Sequence, residues 1–149
     1  LLLIIFIPVI TFGQDILPGA NTIVVKGVSF KEVCNKLLDS NYSIQKKDDD
    51  LQTVRTEPKV YPKHWNAAYV INIRVKDSTA YITGTFTAPY EQPLTSAALK
   101  TDPLWNGEPV YNITTRKGKP APKSLSGYPF SLINKFALSF NKPVEYLKL

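Results

Sequence analysis

The segment from Tyr69 to Phe86, YVINIRVKDSTAYITGTF, reads as a β-hairpin by its alternation. Tyr69, Ile71, Ile73 and Val75 fall on one face of an extended chain; Asn72, Arg74 and Lys76 fall on the other. Asp77 and Ser78 supply turn chemistry at the centre. Folded about that turn, Val75 meets Ala80, Ile73 meets Ile82, Ile71 meets Gly84, and Tyr69 meets Phe86. The apolar faces then coincide without adjustment, so this β-hairpin has a specified register.

Upstream, Ala20 to Lys26 reads as a strand broken by Gly27. Ser29 and Glu32 have the spacing of a capping box, and Val28 and Val33 that of a hydrophobic staple. Phe30, Val33, Cys34, Leu37 and Leu38 recur as one apolar helix face. Asn41 is placed to end that helix in a left-handed cap. Tyr42 to Glu57 reads as a second hairpin around Asp48, Asp49 and Asp50. A three-residue loop there pairs Ile44 with Val54, both on one face. The three aspartates lack the alternate acidic positions, central Gly and distant Glu of a calcium loop, so they are read as a solvated turn.

Downstream, residues 58–66 and 88–106 are connections rich in proline, the second with one helical turn expected over Ser96 to Lys100. Val110 to Thr114 reads as a short edge strand, and Arg116 to Lys123 as a basic loop. Tyr128 to Phe140 reads as a second helix, with Pro129 in its first turn and Phe130, Ile133, Phe136, Ala137 and Phe140 as its inner stripe. Asn141 and Pro143 stop it.

The 149 residues suffice for one domain, and 44% hydrophobic with 20% charged residues is a globular balance. The net charge of +6 suits an acidic partner but is read first as solubility, not as nucleic-acid binding. One cysteine excludes an internal disulfide, and one histidine excludes His-rich metal sites. Leu1 to Phe12 is uncharged, apolar and too short to span a bilayer as a helix. It reads as the apolar region of a secretory signal whose basic start is missing. Thr11 and Gly13 fit a cleavage site that makes Gln14 the mature N-terminus. Residues 1–13 are therefore expected to be removed, leaving 14–149 as a single periplasmic or secreted domain with no stable membrane span.

The order strand, helix, four strands in two hairpins, helix predicts a two-layer α+β sandwich. Its antiparallel sheet of about five strands is covered on one face by both helices. This arrangement resembles TBP-like folds and the small envelope modules of BamC type. The junction Thr11-Phe12-Gly13-Gln14, with Val28-Ser29-Phe30-Lys31-Glu32-Val33 opening the helix, is similar to uncharacterised exported proteins of Gram-negative bacteria. The resemblance carries no catalytic motif, so it implies a fold and an envelope location and transfers no functional residue.

The chemistry on offer is limited. Cys34 and His64 are the one possible nucleophilic dyad, but Cys34 lies on the apolar helix stripe, where a buried thiol is ordinary. No two carboxylates are brought together by spacing, and no phosphate-binding or nucleophile-elbow motif occurs. No enzyme, cofactor or metal is predicted. The unusual feature is aromatic loop content. Tyr61, Trp65, Trp105 and Tyr111 are expected to gather at one rim, either to bind a partner or to plug the sandwich. Arg116, Lys117, Lys119 and Lys123 form a second candidate, suited to anionic polymers or headgroups. The functional expectation is a non-catalytic interaction module for an envelope protein or anionic envelope polymer, with no nucleic acid. The alternative is a carrier holding a small apolar ligand between sheet and helices.

Overall fold

The computed structural model describes residues 16–60, 68–87, 100–101, 109–113 and 127–149. Their elements run β1 (Thr22–Lys26), α1 (Phe30–Asp39), β2 (Ile44–Asp48), β3 (Thr53–Thr56), β4 (Lys59–Val60), β5 (Ala68–Lys76), β6 (Thr79–Thr87), β7 (Lys100–Thr101), β8 (Pro109–Asn112), α2 (Gly127–Leu138) and β9 (Val144–Leu147). The sheet follows the path β2-β3-β5-β6-β1-β9. Along β5, β4 continues the row that β3 begins. Along β6, β8 continues the row of β1, and β7 pairs beyond it. Every pairing is antiparallel. The fold is therefore α+β, but the described sheet has nine strand segments where about five were expected. The expected order also lacked β4, β7 and a final strand, β9, which follows α2.

The central hairpin forms in the register that its alternation dictates. Val75 pairs with Ala80, Ile73 with Ile82, Ile71 with Gly84 and Tyr69 with Phe86. Its two-residue tip has φ 49° at Asp77 and 54° at Ser78, both in the left-handed region, as a turn matched to strand twist requires. The Ser78 carbonyl accepts from Gly27 and Val28 N–H at 2.8 and 3.0 Å, tying the tip to the β1–α1 junction.

Helix α1 starts and stops on local chemistry. Ser29 Oγ accepts from Glu32 N–H at 3.2 Å. At the other end, Tyr42 N–H reaches Leu37 O at 2.9 Å and Asn41 N–H reaches Leu38 O at 3.0 Å, with Asn41 at φ 57°. That bond pair, with buried Leu37 and Tyr42, is a Schellman cap.

The second hairpin departs from the expected register. Ile44 pairs with Thr56, and Val54 pairs with Lys47, across a four-residue loop and a shift between Ile44 and Lys46. The Asp48 carboxylate accepts from Leu51 N–H at 2.9 Å, and Gln52 takes φ 51°. This side-chain turn lengthens the loop by one residue. The irregularity at Gln45 then returns Ile44 to the core side, where Ile44 and Val54 were both expected. Val110 to Thr114 was expected to be an edge strand; β8 instead lies between β6 and β7. Lys100, expected in a helical turn, belongs to β7.

Both helices lay their apolar stripes on one sheet face. Phe30, Val33, Cys34 and Leu37 of α1 and Phe130, Ile133, Phe136 and Ala137 of α2 share one core with Ile23, Val25, Ile71, Ile73, Ile82 and Phe86. Tyr42 bridges the layers. Its ring meets Phe136 edge-on at 5.6 Å between centroids, and its hydroxyl lies 3.0 Å from that of Tyr69. Strand β9 seals the far side of β1, pairing Tyr146 with Ile23 and Val144 with Val25. Tyr146 is anchored to α2 by a 2.8 Å hydrogen bond to Asn134 Oδ1.

Candidate binding face

The helices cover one face of the sheet; on the other face Val24, Val70 and Ala68 are buried too, and the exposed and half-buried positions gather over β2, β3 and the tip half of the β5–β6 hairpin. The same alternation that buries Ile71, Ile73 and Ile82 turns Asn72, Arg74, Tyr81 and Thr83 the opposite way. Register then assembles neighbours from four strands. Lys46 of β2 pairs with Arg55 of β3, Arg55 with Asn72 of β5, and Thr53 with Arg74. Arg74 in turn pairs with Tyr81 of β6. These residues line an open groove of about 270 Å³ that crosses the strands, with Thr83 at its margin. Arg74 and Lys46 are exposed; Arg55, Asn72, Tyr81 and Thr83 are half-buried.

The electrostatics of the face are one-sided. Among the described residues, register places Lys26, Lys46, Arg55, Arg74 and Lys76 on it, against Asp48 and Glu145. Both acids are engaged locally. Glu145 pairs with Lys26, and the Asp48 carboxylate accepts from Leu51 N–H. Among the described residues, Lys46 and Arg74 make no ion pair. Like charges at directly opposed positions, such as Lys46 and Arg55, disfavour the sheet. Among the described residues the groove is lined by cationic, amide, hydroxyl and phenol groups, which suit anion pairing and hydrogen bonding.

A second open groove, of about 630 Å³, lies over the N-terminal end of α1, between Phe30, Cys34, Lys47 and Asp49. Lys47 Nζ sits 5.6 Å from the Phe30 ring centroid and 2.8 Å from Asp49 Oδ1. Cys34 is buried at 8% exposure. Burial pushes its thiol above the ordinary value, the Lys47 charge works against that, and Asp49 adds to it. The thiol is therefore protonated at neutral pH, which is the state of a structural cysteine and not of a nucleophile. His64, its only possible histidine partner, lies outside the described residues. The acidic turn is accounted for within the fold: Asp48 holds the loop, and Asp49 pairs with Lys47.

Of the expected aromatic rim, Tyr61, Trp65 and Trp105 lie outside the described residues, as do Arg116, Lys117, Lys119 and Lys123 of the basic loop and the leader segment 1–13. Tyr111 is placed by its backbone in β8, opposite Phe86. That is the end of the hairpin from which the rim was expected to extend. The groove of Lys46, Arg55, Arg74 and Tyr81 was not singled out in the sequence. Its only linear signal is a cation or aromatic at alternate positions of strands whose inward residues are apolar.

No described helix is long and apolar enough to cross a membrane. No protein-family model matches the chain, and a search of curated proteins finds no match.

Proposed function

We propose that the chain is a non-catalytic interaction module of the periplasm or extracellular space that captures an acidic partner on its open sheet face. The observation that carries this reading is the groove itself, with Lys46, Arg55 and Arg74 set on three neighbouring strands beside Tyr81. A sheet can be solubilised by mixed charge. This one sets Lys46 directly opposite Arg55, a like-charge pairing that disfavours the sheet and favours an anionic partner. The apolar, uncharged Leu1 to Phe12 supports export, and the cationic and hydrogen-bonding lining that the described residues give the groove supports binding. A small-ligand carrier has less in its favour. At the centre of the sheet–α2 contact, Ile133 and Ile113 leave no room even for a Cβ on Gly84.

The test is retention on an immobilised sulfated polymer across a salt gradient. The parent chain is compared with Arg74→Glu, Lys46→Glu and a charge-matched control, Lys142→Glu, in an exposed loop away from the groove. Earlier elution of the first two, beyond that of the control, is expected. Equal loss in all three would reduce the effect to net charge and defeat the reading.

A further inference from the structure

We infer that the acidic partner of the open face is a polysaccharide carrying spaced anionic groups, an inference that rests on the binding face proposed above. The groove crosses the strands from Lys46 on β2 to Tyr81 on β6. With strands ~4.8 Å apart, that path is roughly 14 Å long. Its cations fall into two groups, Lys46 and Arg55 facing each other and Arg74 set off from them by one register position. Asn72 and Thr53 stand between and beside them by register, offering neutral hydrogen-bonding groups. The Asn72 side chain makes no hydrogen bond among the described residues. Thr83 Oγ donates to the Asn72 carbonyl at 3.3 Å and keeps its lone pairs. Charges separated by amide and hydroxyl groups complement a chain in which carboxylates are separated by sugar hydroxyls. At the end of the path the half-buried Tyr81 offers one ring with an apolar body and a polar tip, suited to the C–H face of a sugar.

Other acidic macromolecules fit less well. Single-stranded nucleic acid stacks successive bases on several aromatics, and among the described residues this groove is lined by one, Tyr81. A lipid surface is held by inserted apolar side chains as well as by charge. Among the described residues, the exposed large apolar ones, Leu17, Leu38, Leu51, Val60, Leu138 and Leu149, are all absent from the groove.

The experiment measures binding of the full chain to polygalacturonate, with neutral dextran, polyglutamate, an oligothymidylate and phosphatidylglycerol vesicles in parallel at one ionic strength. Polygalacturonate is expected to bind tightest and dextran not at all. Arg74→Glu should weaken binding about tenfold, the loss of one charge-assisted contact. Tyr81→Ala should weaken polygalacturonate binding while leaving polyglutamate unchanged, which pure charge attraction cannot produce. Thermal midpoints confirm folding, and Arg74→Gln replaces Arg74→Glu if the latter melts early. Equal binding of polyglutamate with no effect of Tyr81→Ala overturns the glycan and leaves the face standing. Tightest binding by the oligothymidylate or the vesicles, still lost in Arg74→Glu, does the same. If no anion binds, or if Arg74→Glu and Arg74→Gln change nothing, the inference and the binding face fall together.

Discussion

Ile133 Cδ1 of helix α2 occupies the space where a side chain on Gly84 would begin. A Cβ built at Gly84 would overlap that methyl and lie 2.7 Å from Ile113 Cδ1. Gly84 sits on the core face of β6, opposite Ile71, so its missing side chain is the dimple into which α2 settles. Gly84→Ala is expected to destabilise the fold by ~1–3 kcal/mol through overpacking. Trimming the intruding methyl with Ile133→Val should recover part of that loss in the double variant. Urea midpoints of the four proteins in the cycle check it, and strict additivity would show that the two residues do not compete for this space.

The Tyr42–Tyr69 hydroxyl pair, 3.0 Å apart in the core, predicts a pH effect. Burial raises the Tyr42 phenol above its ordinary value of 10.0, and the bond to Tyr69 partly offsets this. A raised pKa means that the folded state holds the proton more tightly than the unfolded chain. The stabilisation is therefore full below pH 10.0 and is lost as pH rises through the folded value. Tyr42→Phe should cost about 1 kcal/mol at neutral pH. Its stability should also fall less steeply on the alkaline side. Denaturant midpoints across that range decide this, and parallel alkaline limbs for parent and variant would count against it.

Cys34 is predicted to react slowly with thiol reagents in the native state. Its side chain is nearly buried and its thiol is held above the ordinary value, chiefly by desolvation. Labelling should accelerate when urea opens the fold, and Cys34→Ala should cost on the order of 1 kcal/mol. Rapid native labelling with unchanged stability on substitution would reopen the pairing with His64.

Lys46 and Arg55 face each other across β2 and β3, so Lys46→Glu should stabilise the isolated domain while weakening capture of anions. The gain expected for replacing a like-charge pair with an opposite one is ~0.2–1 kcal/mol, near the lower end for an exposed position. Thermal midpoint and retention on an anionic polymer should therefore move in opposite directions. A variant that loses both would mean that Lys46 is structural.

What the sequence by itself determined were the features whose causes lie within a few residues. The Tyr69–Phe86 register follows from alternation about a two-residue tip, and α1 is bounded by Ser29 and Asn41 through bonds that span three to five residues. The polar assignment of Asn72, Arg74 and Lys76 was legible for the same reason. Where a side chain rewrote the backbone, reading stopped. The Asp48 turn lengthened its loop, and only the pairing of β3 with β5 shows how the second hairpin absorbs it. Strand β9 is a four-residue segment, VEYL, whose identity depends on β1 more than a hundred residues earlier. The candidate site is of this second kind throughout. Lys46, Arg55, Arg74 and Tyr81 each look like an ordinary outward residue on its own strand. Strand order alone makes them neighbours, because β2, β3, β5 and β6 are hydrogen-bonded side by side and the helices cover the opposite face. Adjacency across a sheet is set by long-range backbone pairing, and electrostatic complementarity arises only after that pairing has formed.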